Sequence, residues 1–480
     1  MKNTKVLKAG LGYTIGNYLL KGFSFLTIPI FARLLSTDDY GIVNTFGAYE
    51  SIMFVIIGLA IHTSFKNARY KFGIVSEGAE IGQDYRTYVS NAFLMIWLSG
   101  LSWLLFVIIF RTWMSQILKL SSFLVILLIF YSTSNAILTA YNSDISIYYE
   151  YKKYVTIAGF NSGGNIFLSI LFVLFVWPGK RYFGRIVGIV CPIICIALFL
   201  TINQLIKTRP KSFIPMIKWG LKYSLPIVPH GISQIILSSF DRIMIRNMVS
   251  NSASGLYSFA YNVFAILQVT SDSINTVWNP WFYERRKDNN FDAIKKVSTI
   301  YMLFLFSFSS FIMLISPELV FILGGLKYKD SVICVIPIVC GGFFTFLYNI
   351  PATVEYYHEK TKFIAIATMC AAAINVITNF IFIKQYGYIA AAYTTLVTYF
   401  LYFLFHYFMA KRIEGKSLFH EKTIWFTTIA IVVLAVITLL TIHVIWMRLI
   451  LAACILLAFI VYSEKKMNLL SVVIRKLWGS

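Results

Sequence analysis

The stretch "GNYLLKGFSFLTIPIFARLLSTDDYGIVNTF", residues 16–46, contains two apolar runs joined by a short polar segment. The same alternation continues through a chain of 480 residues that is 58% hydrophobic and 13% charged. Soluble domains are about half apolar and about a quarter charged, so this chain has more apolar surface than a soluble fold can bury. Apolar runs of about 18 residues or more are long enough to cross a hydrocarbon core of ~30 Å as helices.

These runs predict an all-α, polytopic membrane protein. Only helices and closed barrels satisfy every backbone polar group in lipid, and the runs are too long for barrel strands and lack a two-residue alternation. We predict about fourteen spans, with boundaries uncertain by about 2–4 residues. They lie at residues 10–33, 41–64, 88–110, 119–142, 154–176, 185–206, 221–248, 253–278, 298–324, 331–356, 363–383, 387–410, 423–443 and 446–463.

The basic residues orient these spans. The chain has 42 Lys and Arg against 20 Asp and Glu, a net charge of +22. Most of the basic residues lie at the two ends and in the loops that follow the even-numbered spans. The positive-inside rule then predicts that both termini lie in the cytoplasm. The same rule explains the net charge, so the predicted partner of these residues is anionic membrane lipid and no nucleic acid is expected.

The chain contains an internal repeat. The segment "FARLLSTDDYGIVNTF" resembles "IRNMVSNSASGLYSFA", with Ser36 matching Ser250 at an offset of 214 residues. A weaker echo relates Asn165 to Asn375 at an offset of 210. Repeats of six spans are common in secondary transporters, whose substrate site lies between the halves.

This repeat predicts the domain organisation. We expect an amino-terminal lobe of six spans over residues 1–210 and a second lobe of six spans over residues 211–415. Residues 416–480 then supply two extra spans and a cytoplasmic tail.

Basic residues inside two spans predict an anion-binding cavity. Lys21 lies near the middle of span 1, and Arg242 and Arg246 share one face of span 7 because they are four residues apart. Asp241 is adjacent to Arg242, and one carboxylate against two arginines leaves a surplus of positive charge. The arginine fork suits phosphate. The alternatives are a snorkelling lysine and an Asp–Arg pair that is neutralised within the bundle.

Isolated acids in other spans are candidates for ion coupling. Glu50 lies in span 2, Asp272 in span 8 and Glu355 in span 10. Each either binds a coupling cation or a proton, or pairs with Lys21, Arg242 or Arg246. For Glu355 a third alternative is a position at the cytoplasmic interface, and all of these alternatives stay open. Four histidines in the spans are expected to find hydrogen-bond partners rather than to act as proton relays; they are His62, His230, His406 and His443.

The sequence does not have the features of an enzyme or an ATP-driven pump. All loops are short, and there is no GxxxxGK[ST], HExxH or GxSxG motif. The six cysteines lie inside apolar runs without metal-binding spacing. We therefore predict neither a cofactor nor a metal site.

Several stretches together resemble one family. The opening stretch is similar to the first span and loop of bacterial polysaccharide flippases, which transport lipid-linked oligosaccharides in O-antigen and capsule pathways. The stretch "SSFDRIMIRNMVSNSASGLYSFAYNV" is similar to the seventh span of that family, and "NVITNFIFIKQYGYIAAAYTT" also resembles it. The resemblance covers the whole chain and places it in the multidrug/oligosaccharidyl-lipid/polysaccharide exporter superfamily.

The resemblance implies two six-helix lobes, a central cavity and alternating access in a bacterial inner membrane. The implied substrate is a polyprenyl-diphosphate-linked oligosaccharide that moves from the cytoplasmic to the outer leaflet. Lys21, Arg242 and Arg246 are the implied substrate-binding cations, together with Asp241 and with Arg33 at the cavity mouth. The implied protein is a monomer, with a glycan polymerase or chain-length proteins as further partners.

Two alternative functions are weighed against flipping. A cation-coupled multidrug antiporter of the same superfamily is expected to have an acid-rich cavity, whereas the mid-membrane charges here are mainly basic. An intramembrane glycan polymerase is expected to have a large extracytoplasmic loop or an acidic metal motif, and the sequence has neither.

Overall fold

The computed structural model describes residues 25–73 and 83–467, together with Gly16 and Gly22. Helices account for most of these residues, and the described part of the chain contains no strand. The predicted all-α class is therefore confirmed. The chain divides into two compact units, Met1–Asn247 and Met248–Ser480.

The first unit is built from long apolar helices and short connecting ones. Its helices are α1 (Phe25–Leu34), α2 (Thr37–Gly58), α3 (Phe65–Phe72), α4 (Gln83–Ile109), α5 (Arg111–Leu118), α6 (Ser122–Ile147), α7 (Tyr151–Leu171), α8 (Arg181–Lys207), α9 (Phe213–Ser224) and α10 (Val228–Met248). Helix α6 lies at the centre of this unit, because it packs against α2, α4 and α8.

The second unit is organised around one buried helix. Its helices are α11 (Asn251–Lys287), α12 (Phe291–Leu314), α13 (Ser316–Gly324), α14 (Val332–Leu347), α15 (Asn349–Tyr357), α16 (Thr361–Tyr386), α17 (Tyr388–Glu414), α18 (Glu421–Leu440) and α19 (Ile445–Met467). Helix α14 is almost entirely buried and packs against α11, α12, α17 and α18.

The helices agree with the predicted spans. Within the described residues, 11 helical segments are long and apolar enough to cross a membrane, and each coincides with one predicted span. Predicted spans 7 and 8 appear as α10 and α11, which carry more polar residues than the other spans. Most of span 1 lies outside the described residues. The protein is a multi-pass membrane protein.

Two of the predicted spans are interrupted beside prolines, Pro226 in span 7 and Pro351 in span 10. Predicted span 7 begins within α9 and passes through a 3-10 turn at Leu225–Ile227 before α10 starts. Predicted span 10 is divided at Tyr348 into α14 and the short α15. Proline has no backbone N–H and therefore breaks the helix hydrogen-bond pattern, which accounts for both interruptions.

The two compact units differ from the predicted lobes in one respect. Packing places α10, the predicted span 7, in the unit that ends at Asn247, whereas the repeat assigns residues from 211 onward to the second lobe. The first description concerns packing and the second concerns repeat symmetry. The division into residues 1–210, 211–415 and 416–480 therefore stays a prediction.

The polar segment after α1 is a helix corner. Ser36 caps α2, because its hydroxyl accepts from the amide of Asp39 at 3.0 Å and the Asp39 carboxylate accepts from the amide of Ser36 at 3.1 Å. This capping box satisfies two helix-end amides. The guanidinium of Arg181, at the start of α8, donates to the carbonyl of Leu34 at 2.7 Å. The corner is thereby fixed to α8.

Matched positions of the repeat have matched structural roles. Ser250 caps α11 by accepting from the amide of Ala253 at 3.0 Å, as Ser36 caps α2. Asn375 of α16 donates to the hydroxyl of Thr395 on α17 at 3.1 Å. Their counterparts at the offset of 210 are Asn165 on α7 and Arg185 on α8, and these two side chains also form a hydrogen bond. These correspondences support the predicted repeat.

Close packing of α7 against α8 makes Gly188 sensitive to substitution. A Cβ added at Gly188 would lie 2.5 Å from the backbone of Ser169, a distance that requires a backbone shift. We therefore expect Gly188→Ala to destabilise the protein by about 1–3 kcal/mol, measured as a lower thermal unfolding temperature in detergent. Gly159→Ala on α7 is the matched control, because a Cβ there meets nothing within 4 Å. Equal unfolding temperatures for the two variants would contradict this packing.

Candidate functional site

The predicted substrate-binding residues that the structure describes lie in the first unit. Lys21 lies outside the described residues. Arg33 is exposed at the end of α1. Asp241, Arg242 and Arg246 all lie on α10.

Helix α10 carries its charges in a largely buried stretch. Asp241 is 1% exposed and Arg246 is 7% exposed, while Arg242 is half-buried. Because Arg242 and Arg246 are four residues apart, the helix places them on one face, as the spacing predicted. Buried charges in an apolar unit are costly, so their retention at this position indicates either a structural or a functional use.

Arg246 has an identified contact within the first unit. Its Nη2 donates to the carbonyl of Lys119 at 2.6 Å, where Lys119 ends α5 in the left-handed conformation with φ of 49°. The ammonium of Lys119 in turn donates to the carbonyl of Asn247 at 3.1 Å. These reciprocal bonds join the end of α10 to the α5–α6 turn. A contact of Arg246 with substrate stays a prediction.

Glu50, the first candidate for ion coupling, has a neutral hydrogen-bond partner. Its carboxylate on α2 accepts from Nδ2 of Asn135 on α6 at 2.7 Å. Tyr131 lies one turn before Asn135 and is electrostatically influenced by both Glu50 and Arg185. The structure thus places an acid and a base around one tyrosine inside the first unit. Ion coupling by Glu50 stays a prediction.

Arg185 is a cation of the first unit that no sequence pattern singled out. Its Nη1 donates at 2.6 Å both to Oδ1 of Asn165 and to the hydroxyl of Ser169. The guanidinium also lies 3.6 Å from the ring centroid of Phe31. No carboxylate of the described residues forms an ion pair with Arg185. The sequence signal that could have indicated Arg185 is its position in the first two turns of an otherwise apolar helix.

The candidates in the second unit differ in their environment. Asp272 is exposed on α11 and influences Tyr301 and Tyr348 electrostatically. Glu355 on α15 is 0% exposed, and its Oε1 lies 2.5 Å from Nδ1 of His406 on α17. The predicted hydrogen-bond partner of His406 is thereby identified.

Three further ion pairs were not predicted, because their members are far apart in sequence. They are Arg86 with Asp144 at 3.0 Å, Arg286 with Glu414 at 2.9 Å and Arg448 with Glu318 at 2.6 Å. The carboxylate of Glu414, at the end of α17, also lies 2.8 Å from Nε2 of His358. The hydrogen bond with the Glu414 carboxylate raises the pKa of Arg286 above the usual arginine value.

An apolar cavity lies in the second unit between α12, α18 and α19. Its volume is about 590 Å³. It is lined mainly by Leu303, Phe306, Phe426, Ile455 and Phe459, with Lys422 and Tyr462 among the few polar side chains. Lys422 is in the first turn of α18 and Tyr462 is near the end of α19. The cavity can therefore hold a long apolar chain beside a polar group.

Comparison with known proteins identifies the family. The family model described as "Polysaccharide biosynthesis protein" matches residues 6–286, more than half of the 480-residue chain. The chain belongs to the polysaccharide biosynthesis protein family. The matched segment includes all of α10 and its charged residues. The predicted family resemblance is confirmed.

This family member is similar to two proteins of Haemophilus influenzae. A protein of the Lsg locus is 22% identical over 423 residues, covering 83% of this chain and 98% of the relative. A membrane protein of the same organism is 24% identical over 379 residues, covering 75% of this chain and 86% of the relative.

Solved structures of two transporters share the fold of this family member. The lipid II flippase MurJ, in an inward closed conformation, matches with a TM-score of 0.71 at 15% identity, over 95% of this chain and 99% of that one. An inward-facing multidrug resistance MATE family transporter of the MOP superfamily matches with a TM-score of 0.63 at 14% identity, over 82% and 95%. The polysaccharide biosynthesis protein therefore shares its fold with these two proteins.

Proposed function

We propose that this protein flips a polyprenyl-diphosphate-linked oligosaccharide from the cytoplasmic to the outer leaflet of a bacterial cytoplasmic membrane. In this proposal it is a secondary transporter that works by alternating access, with both termini in the cytoplasm. The family membership and the transporter fold support the class of activity. The charges and the apolar cavity support the substrate.

The distribution of charge partners is the observation that carries the proposal. Five acids in the described helices have cationic or histidine partners, and Glu50 accepts from a neutral amide. The five pairs are Asp144 with Arg86, Glu318 with Arg448, Glu355 with His406, Glu414 with Arg286 and Glu421 with Lys411. Arg185 is likewise held by neutral oxygens, so its charge offsets that of Glu50. Helix α10 carries Arg242 and Arg246 against the one carboxylate of Asp241, and an anionic substrate such as a diphosphate balances this surplus of positive charge.

The apolar cavity in the second unit suits the polyprenyl chain of such a substrate. A polyprenyl chain is a flexible hydrocarbon, and burying each CH₂ group contributes about 0.8 kcal/mol. Lys422 lies among the lining residues of this cavity. A cation there offers a contact for a phosphate while the lipid chain occupies the apolar part. The two extra helices, α18 and α19, would then hold the lipid.

The predicted residues keep their proposed roles. Lys21, Arg242, Arg246 and Arg33 contact the diphosphate or acidic sugars, and Asp241 orients the arginine beside it. These cations replace water around the diphosphate, whose transfer into hydrocarbon is otherwise prohibitive. Glu50, Asp272 and Glu355 are the groups proposed to bind a coupling ion.

Reconstitution of the purified protein tests the proposal. Liposomes that carry a polyprenyl-diphosphate-linked oligosaccharide on one leaflet are prepared with and without the protein, and the appearance of the glycan on the other leaflet is measured with an impermeant lectin. We expect protein-dependent flipping and no transport of a cationic dye. Transport of the dye without flipping of the glycan lipid would favour the multidrug antiporter and overturn the proposal.

A further inference from the structure

A fully buried acid–histidine pair joins two helices of the second unit. Glu355 on α15 and His406 on α17 are both 0% exposed, and 2.5 Å separates Oε1 from Nδ1. Within the described residues, Oε2 of Glu355 and Nε2 of His406 have no hydrogen-bond partner. A buried polar atom without a hydrogen-bond partner is costly, so the two unpartnered atoms of this pair lower the free energy of unfolding.

The surroundings of the pair are aromatic and uncharged at contact distance. The ring of Tyr402 lies 4.5 Å from the His406 ring, and that of Tyr348 lies 5.3 Å from it. Tyr402 also hydrogen-bonds to Thr368 of α16 at 2.9 Å. The titratable groups that face the pair from the elements packed around it are Tyr348 beside α14, Tyr356 on α15 and Tyr402 on α17, and Asp272 on α11 acts electrostatically on Tyr348. No second ion pair involves Glu355 or His406 within the described residues.

This environment limits the charge that the pair can carry. A net charge in a buried, apolar site is far more costly than a neutral state. The pair is neutral when it holds one proton, either as carboxylic acid and imidazole or as carboxylate and imidazolium. Loss of that proton leaves a buried carboxylate, and gain of another leaves a buried imidazolium. Either change requires water or a counter-ion to reach the site, so helices must move.

The helix that carries Glu355 is suited to such a movement. Helix α15 has only 9 residues and is separated from α14 by the interruption at Tyr348. Its side chains also form the bonds of Thr353 to Trp278 and Asn279 on α11 and the bond of Asn349 to the carbonyl of Thr345 on α14. His358, which follows the helix, is bonded to Glu414 on α17. The Glu355–His406 pair is therefore the buried member of a small set of bonds that hold this short helix.

We propose that Glu355 and His406 together form a proton-binding site, and that binding or release of one proton changes the contact between α15 and α17. The proton is the ligand, and the two orphan atoms are where water enters when the site opens. That this change drives transport rests on the proposed flippase function. The binding of the proton itself does not.

Infrared difference spectra between acidic and alkaline pH test proton binding on the purified full-length protein. We expect the wild type to show a carboxyl or imidazole signal that is lost in both Glu355→Gln and His406→Asn, since each variant removes one titrating member. Glutamine keeps the shape of the protonated acid, and the asparagine amide keeps a donor near the position of Nδ1. Two variants are used so that one poorly folded protein does not decide the result.

His358→Asn is the matched control for this experiment. His358 and Glu414 form an acid–histidine bond of 2.8 Å between the same two segments, but His358 is partly exposed. We expect this variant to keep the signal that Glu355→Gln loses. Superimposable difference spectra for the wild type, Glu355→Gln and His406→Asn would overturn the proton-binding site.

The coupling to transport is tested separately in proteoliposomes. The initial rate of glycan-lipid flipping is expected to change several-fold with pH in the wild type and to be flat in Glu355→Gln, with His358→Asn following the wild type. A pH profile of Glu355→Gln that is identical to that of the wild type would overturn the coupling. If the wild type does not flip the glycan lipid at all, the proposed function fails, while the infrared result still decides proton binding.

Discussion

Substitution of Arg242 by glutamine is expected to reduce surface display of the glycan by roughly 10- to 100-fold. A hydrogen bond between charged groups contributes about 1.5–3 kcal/mol, and each 1.4 kcal/mol corresponds to about a factor of ten. Arg242 is half-buried on α10, one residue after the buried Asp241. We propose that its guanidinium binds the diphosphate with a planar pair of donors. Arg242→Lys is expected to retain part of the activity, because lysine keeps the charge but loses the fork.

Complementation of a strain that lacks the gene provides the measurement. Surface glycan is quantified with an antibody, and the amount of protein in the membrane is quantified by immunoblot in the same cells. Arg111→Gln is the matched control, because Arg111 is an exposed arginine at the start of α5. Full display in the Arg242→Gln strain, at an equal amount of membrane protein, would rule out a diphosphate contact at this position.

The membrane fold was predictable because the patterns that specify it are local. Length and apolar composition determine whether a segment can span the membrane, and eleven predicted spans coincide with helices of the described residues. The corner after α1 was predictable for the same reason. Ser36 and Asp39 satisfy amides within their own first turn, so the capping residues can be recognised without knowledge of the tertiary structure.

Polar pairing was less predictable, because it depends on which helices are neighbours. From the sequence, Glu355 either binds an ion, pairs with one of the predicted cavity cations or lies at the cytoplasmic interface, and no pattern relates it to His406. The structure brings them together across 51 positions of the chain. The ion pair of Glu318 with Arg448 spans 130 positions. No local spacing relates such residues, whereas the four-residue spacing of Arg242 and Arg246 did predict a shared face.

The internal repeat allows some tertiary contacts to be predicted from the sequence. The offset that relates Asn165 to Asn375 also relates Arg185 to Thr395, and in each unit the two side chains are hydrogen-bonded. A sequence comparison could therefore have paired Asn165 with Arg185 once the second pair was known. The comparison could not have explained why Arg185 is a cation while its counterpart Thr395 carries a neutral hydroxyl. That explanation requires the neighbouring side chains of each residue, which only the structure identifies.

Arg448→Ala is expected to destabilise the second unit by about 3 kcal/mol, which corresponds to a fall of roughly 6 °C in the unfolding temperature for a unit of this size. Arg448 is 2% exposed at the start of α19. Its guanidinium donates to both carboxylate oxygens of Glu318, at 2.8 Å and 2.6 Å, and to the carbonyl of Leu314 at 2.5 Å. Truncation leaves the carboxylate and the carbonyl without their donor.

The Arg448→Met, Glu318→Leu double variant separates the cost of an orphaned charge from the loss of packing. Replacing a buried ion pair by apolar residues of similar volume is often neutral or stabilising, whereas removing one member is not. We therefore expect the double variant to recover most of the unfolding temperature that Arg448→Ala loses, as measured in detergent. Because Arg448 connects α19 to the end of α12 and to α13, protease cleavage between α18 and α19 should increase in the single variant alone. Equal losses in the single and double variants would show that the arginine stabilises α19 by packing rather than by its charge.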